Sequence, residues 1–168
     1  MEITANEKHD FSKLIENPIK AGDGKKPTKV LFICTGNTCR SPMAAAVLNA
    51  LGKGEYSAAS AGISAFHGDG ISEDAAWALE TSGIESTDGN DYKNHLSRPI
   101  TEELLKEYDR AVAISSRHLM ALLYAFPAYA DKLTVMKKDI SDPYMLGKDE
   151  YLKCLSEITE CIKEMFSL

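Results

Sequence analysis

The chain has 168 residues, 44% apolar and 26% charged, with a net charge of −6. This is the composition of one globular domain, long enough to bury roughly 70% of its unfolded surface without disulfide staples. The acidic balance argues against non-specific nucleic-acid binding, and no apolar run nears the ~20 residues of a membrane span.

The first residues, MEITANEKHD, lack the apolar stretch of a signal peptide. A soluble, cytoplasmic protein is therefore expected, with neither a nucleic acid nor a membrane as partner. Its four cysteines, at 34, 39, 154 and 161, include no Cys-x-x-Cys pair, and no His pair at zinc-ligand spacing accompanies them. A structural zinc site is not expected.

Residues 1–28 differ from the rest. HDFSKLIENPI predicts an amphipathic turn or short helix with Phe11, Leu14 and Ile15 on one side. AGDGKKPTK reads as a linker. This segment is expected to be a flexible extension, with docking on the domain or on another copy as the alternative. The domain proper is expected over residues 29–168.

KVLFI, a continuous apolar run with β-branched and aromatic members, predicts a buried strand. After the loop CTGNTCR, SPMAAAVLNALG predicts a helix that stops at Gly52. YSAASAG is a second strand. SEDAAWALETSG is a helix with Ser72 as N-cap and Gly83 as stop. A short helix starts near Thr101, where Thr-x-x-Leu supplies the cap, RAVAIS is a third strand, and SRHLMALLYAFP is a helix ended by Pro127. KLTVM is a fourth strand, KKDISDPYMLG a loop, and KDEYLKCLSEITECIKEMF a long amphipathic helix. Strands alternating with helices predict an α/β single domain with a parallel sheet and helices on both faces.

Ligands of such sheets bind at the carboxyl ends of the strands. CTGNTCR lies there, at the start of a helix, so backbone N–H groups and the positive end of a helix dipole converge on an anion. Gly36 and Asn37 tolerate the backbone angles of a tight cradle. Arg40 adds a bidentate clamp. The same groups favour a thiolate at Cys34, poised for in-line attack on a bound phosphate, with Ser41 donating to the sulfur. The alternative is a buried structural cysteine beside a capping loop. Asp142, in Asp142-Pro143-Tyr144, is the candidate acid for the leaving group. Alone, Asp-Pro would read as a routine turn; beside the cysteine loop it reads as the acid, with Tyr144 as an aromatic wall.

From about Lys29 to the C-terminus the chain resembles the low-molecular-weight protein tyrosine phosphatase family. VLFICTGNTCRSPMA is similar to its phosphate loop and DPY to its general-acid loop. SAG at 60–62 with FHG at 66–68 resembles one wall of its active site, and HLSR at 95–98 a His-x-Ala-Arg segment. The resemblance implies a four-stranded parallel sheet of order 2-1-3-4 and no cofactor or metal. It implies Cys34 as nucleophile, Arg40 as clamp, and Asp142 as acid and then base. Thr35, Gly36, Asn37, Thr38 and Cys39 complete the phosphate loop, with Ser60 and His95 supporting Asn37. Phe66, Thr38 and Tyr144 form the substrate wall. Cys39 matches a second cysteine able to form a reversible disulfide with the nucleophile, a redox regulation. The partners implied are a phosphorylated protein and, in the loop, phosphate or another oxyanion.

Thr38 stands where tyrosine-specific members carry a bulky aliphatic residue. There the chain resembles the bacterial branch that acts on phosphoarginine. A threonine keeps one methyl, opens room and adds a hydroxyl suited to a planar guanidinium; a silent loop variation is the alternative. The family-level expectation is a phosphotyrosine phosphatase, with a phosphoarginine phosphatase beside it. More remote are an arsenate reductase, for which Cys154 and Cys161 are poorly placed, and a phosphocysteine carrier, for which Asp142 has no use.

Overall fold

The structure, a computed structural model, describes residues 18–168. The turn expected around Phe11, Leu14 and Ile15 lies outside the described residues.

Strand β1, Thr28–Cys34, is the centre of the sheet. Its side chains alternate between two cores: Val30, Phe32 and Cys34 face one, Leu31 and Ile33 the other. A strand buried on both faces needs apolar residues at every position, which is why KVLFI is continuous rather than alternating. Strands β2 (Tyr56–Gly62), β3 (Arg110–Ala113) and β4 (Leu133–Val135) join it in the order β2-β1-β3-β4, all parallel. This is the expected order.

Helices α1 (Arg40–Leu51), α2 (Glu73–Thr81) and α5 (Lys148–Phe166) cover the first face. Helices α3 (Glu102–Glu107) and α4 (Ser116–Ala125) cover the second. Every residue of α1 from Arg40 to Leu48 is buried. Its alanines let it sit between β1, β2 and α5, where an amphipathic helix would not fit. Ser72 and Thr101 cap α2 and α3 as expected, accepting from the N–H groups of Ala75 and Leu104. No helix among the described residues is long and apolar enough to cross a membrane.

Two short 3-10 turns, Tyr92–Asn94 and Pro127–Lys132, are not apparent in the sequence pattern. Pro127 does not itself end α4. The helix stops at Ala125, and Pro127 opens the next turn, where its missing N–H costs nothing. Residues 18–28, part of the expected extension, meet the domain at several points, Ala21 packing against the first core among them. Ile19 is buried, its N–H donating to Met165 O at 2.6 Å and its carbonyl accepting from Tyr56 Oη at 3.0 Å. Thr28 already belongs to β1.

Gly62 ends β2 beside the loop that follows β1. A Cβ there would lie 2.5 Å from Thr35 O and 3.1 Å from Asn37 Cβ. Two backbone bonds pin it further, from Gly62 N to Arg98 O and from Ile100 N to Gly62 O, both 2.9 Å. Gly62→Ala should therefore destabilise the fold by about 1–3 kcal/mol, the cost of overpacking against backbone that cannot retreat. Urea unfolding checks this; an unchanged midpoint would show that the two segments can separate.

Candidate active site

Residues 34–40, CTGNTCR, run from the carboxyl end of β1 into the first turn of α1. The loop separates its backbone donors from its acceptors. Four carbonyls are tied outward: Cys34 O to Ile63 N at 2.9 Å, Thr35 O to Ser64 N at 3.0 Å, Thr38 O to Ser72 N at 2.9 Å, and Asn37 O to His95 Nε2 at 2.7 Å. No hydrogen bond among the described residues is donated by the backbone N–H of residues 35–41. Seen from inside the loop, this is a nest of N–H groups with the start of a helix behind it, a site built for an anion.

Asn37 holds that shape. It is fully buried, with φ of 59° in the left-handed region. Its Nδ2 donates to Ser41 Oγ and to Ser60 Oγ, both at 2.9 Å, and its Oδ1 accepts from Arg98 N at 3.0 Å. Ser60 thus bonds the Asn37 side chain and His95 its carbonyl. A carbonyl only accepts, so His95 carries its proton on Nε2. Burial, then the charge of Arg98, holds its pKa below the ordinary value and outweighs the bond to Asn37.

Cys34 Sγ lies 2.9 Å from Ser41 Oγ. Because Ser41 Oγ already accepts from Asn37, its own proton is free for the sulfur or for Ala61 O, 3.4 Å away. The sulfur is the shorter contact.

Arg40 connects the loop to the segment after β4. It is largely buried, with one nitrogen donating to Ile140 O at 3.1 Å and the other 3.5 Å from Asp142 Oδ2. Asp142 Oδ1 accepts from Tyr144 N at 3.1 Å, an Asx turn that fixes the carboxylate. The side chain of Asp142 stays 55% exposed, open to an incoming group. Cys34, Thr35, Gly36, Asn37, Thr38, Cys39, Arg40, Asp142 and Tyr144 line one cleft of about 240 Å³. Residues 108 positions apart in sequence, Cys34 and Asp142, thus share one opening. Phe66, expected on the substrate wall, is not among the lining residues; it is 79% exposed, outside the cleft.

The second loop cysteine is turned elsewhere. Cys39 Sγ donates to Ser72 Oγ at 3.4 Å and lies 3.2 Å from Tyr151 Oη on α5. All four cysteines are free thiols. Pairing of Cys39 with Cys34 requires it to leave those two partners. Cys154, on α5, donates to Ser141 O at 3.8 Å, and burial pushes its pKa up to about 12. Cys161 is shifted the same way by the same cause. Neither has the thiolate character of a redox relay.

One residue of this neighbourhood carries no signal in the motifs. His118, on the first turn of α4, bonds Thr35 Oγ1 through Nε2 and Ser115 Oγ through Nδ1, each at 2.9 Å. Burial, then the charges of Arg40 and Arg117, pushes its pKa down to about 4, against the opposing pull of Asp142 and Asp139.

A family model described as low molecular weight phosphotyrosine protein phosphatase matches residues 29–167. A protein-arginine-phosphatase of Geobacillus stearothermophilus is 34% identical over 148 residues, covering 80% of this chain and 95% of its own. The low molecular weight protein-tyrosine-phosphatase Wzb of Salmonella typhi is 31% identical over 128 residues, covering 73% and 81%. The solved structure of a low molecular weight protein tyrosine phosphatase from T. tengcongensis matches with a TM-score of 0.76 at 34% identity, covering 83% of this chain and 98% of that one.

The depressed His118 pKa couples folding to pH. The unfolded imidazole takes its proton near 6.5 and the folded one near 4. Stability from this group is therefore present above pH 6.5 and lost as pH falls toward 4, by up to the order of 2–3 kcal/mol. Between pH 7 and pH 4 the wild-type melting temperature should fall more steeply than that of His118→Gln. Parallel curves would show that the imidazole is not held neutral.

Proposed function

The chain belongs to the low-molecular-weight phosphotyrosine protein phosphatase family and is a cysteine-dependent phosphatase, and on that footing we propose that Cys34, Arg40 and Asp142 carry out a two-step phosphate hydrolysis on a phosphorylated protein. The observation that carries this reading is the shared cleft, with a thiol and a nest of inward N–H groups at its floor and a carboxylate at its rim.

In the first step the Cys34 thiolate attacks phosphorus in line. The bond to the leaving group breaks as Asp142, protonated, gives that group its proton. The N–H groups of the loop and the Arg40 guanidinium hold the equatorial oxygens, where charge redistributes in the transition state. The product is phosphocysteine and a dephosphorylated side chain. In the second step the Asp142 carboxylate takes a proton from water, which attacks phosphorus. Sulfur leaves as a thiolate that Ser41 Oγ stabilises, and phosphate departs. Arg40 sits between the two loops and sets the distance from acid to nucleophile.

On substrate, we read the cleft as fitted first to phosphoarginine. Thr38 lines it beside Asp142 and Tyr144, and a hydroxyl, a carboxylate and an aromatic face suit a planar cationic guanidinium. Phosphotyrosine is the second reading. Tyr144 supports it, because an aromatic wall packs a phenol ring equally well. A phosphate carrier would have no role for Asp142. A reductase would need exchangeable thiols beyond the loop, and the buried Cys154 and Cys161 argue against it.

kcat/KM on matched phosphoarginine and phosphotyrosine peptides tests the assignment, with Cys34→Ser as the inactive control. The wild type should favour phosphoarginine, and Thr38→Ile should lower the arginine-to-tyrosine ratio by about 10-fold or more. A wild-type preference for phosphotyrosine that Thr38→Ile leaves unaltered would transfer the specificity to Tyr144.

A further inference from the structure

His118 is a buried titratable side chain beside the phosphate loop that the hydrolysis above does not use. Only 6% of its surface is exposed. Its two nitrogens bridge two hydroxyls, Thr35 Oγ1 and Ser115 Oγ, at 2.9 Å each. A neutral imidazole donates from one nitrogen and accepts at the other, and a hydroxyl can do either. All three groups are therefore satisfied in one continuous chain, whichever way its protons run.

The surroundings commit both ends of this chain. Ser115 occupies the N-cap of α4 but makes no side-chain capping bond. Asp139 does that work instead, accepting from Ser116 N and Ser116 Oγ at 2.8 Å. The Ser115 hydroxyl is thus released to hold the imidazole. At the other end, Thr35 is the residue directly after Cys34. Its carbonyl is fixed by Ser64 N, and its side chain is fixed by His118. Across the loop His95 holds the Asn37 carbonyl. The two histidines grip the loop from opposite flanks, one from the segment after α2 and one from α4.

Thr35 and His118 also line a second cavity of about 470 Å³, which shares Arg40 and Asp142 with the catalytic cleft. Thr35 forms part of the wall between the two spaces. The peptides on either side of Thr35 are tied through their carbonyls to Ile63 N and Ser64 N, and the bond to His118 adds the side-chain tie that holds Thr35 against α4.

We propose that His118 is a positioning residue of the phosphate loop: through Thr35 Oγ1 it anchors the residue after Cys34 against α4 and, with the backbone ties to Ile63 and Ser64, keeps the loop in the shape that faces its N–H groups to the bound phosphate. Ser115 sets the imidazole in turn. The inference rests on the phosphate-loop reading of residues 34–40. A residue that merely fills space in α4 would also destabilise the protein when replaced. The two roles differ in how changes at His118 and Thr35 combine.

The experiment uses the full chain, with para-nitrophenyl phosphate as substrate and inorganic phosphate as competitive inhibitor. Wild type, Thr35→Val, His118→Leu, the double variant and His118→Gln are compared, each checked for folding by near-ultraviolet circular dichroism. Each single change should raise KM and the phosphate inhibition constant by roughly 5- to 20-fold, the worth of one hydrogen bond to a positioned group. The double variant should lie within about 2-fold of the worse single variant, because both remove the same bond. His118→Gln, which keeps a polar group at similar reach, should recover at least half of the loss on a logarithmic scale. Multiplicative losses in the double variant, or a folded His118→Leu that binds phosphate as the wild type does, would overturn the proposal.

Should His118→Leu fail to fold, Thr35→Val is compared with Thr35→Ser. Weaker phosphate binding by the valine variant, by about 5-fold or more, supports the bridge, and equal binding overturns it. Wild-type turnover is read first. Its absence removes the phosphatase reading and this inference together, whereas wild-type turnover with multiplicative losses removes only the role of His118.

Discussion

The site depends on one strained residue. Asn37 sits in a left-handed conformation that costs a non-glycine residue about 1–2 kcal/mol. Its amide makes three hydrogen bonds and its carbonyl a fourth. Each is worth roughly 1 kcal/mol net, and more where loss would leave a buried polar group unpaired. The bonds therefore outweigh the strain. Because Asn37 turns at that point, the carbonyls of the loop face the segment at 63–72 and His95, and the N–H groups are left to face inward. A glycine would adopt the same angles, but it could not reach Ser41, Ser60 and Arg98.

The sheet supplies the rest of the placement. Strand β1 delivers Cys34 at the carboxyl edge, and β2 ends beside it with Gly62, whose missing side chain lets the two segments touch. Asp142 arrives from β4, at the sheet's far edge, and its segment must cross β3 to reach the thiol. Ile140 makes that crossing: its N–H donates to Ile114 O and its carbonyl accepts from Arg40. Arg40 is thus the strut under the Asp142 loop, and in its proposed role as phosphate ligand it would tie substrate binding to the position of Asp142. Beyond the strut the loop projects into solvent, with Tyr144, Met145 and Leu146 all exposed.

Much of this was legible in the sequence because local rules and global fold agree. The continuous run KVLFI reads as a strand buried on both faces, and Ser72 and Thr101 read as caps because a hydroxyl before an acidic first turn has little else to do. Cys34, Arg40 and Asp142 were legible only together, since each alone has an ordinary structural reading. What escaped depends on contacts between distant residues. The thiol of Cys39 turns toward Ser72 and Tyr151, and no spacing encodes that. Phe66 is close to the site in the motif and outside the cleft in space. Ile19 fell in a segment expected to be a flexible extension and is buried against the end of α5. His118 left one faint trace: Ser115 and His118, three apart at the carboxyl end of β3, could have marked a side-chain bridge facing the same ligand edge as Cys34.

The most direct test is to trap the intermediate. Asp142→Asn, mixed with an aryl phosphate whose leaving group needs no acid, should form the phosphoenzyme faster than it hydrolyses it. Rapid acid-free quenching followed by peptide mass spectrometry should find phosphate on the peptide that carries Cys34 and on no other. Phosphate on a different residue, or continued wild-type turnover with no phosphorylated protein at any time, would contradict the account.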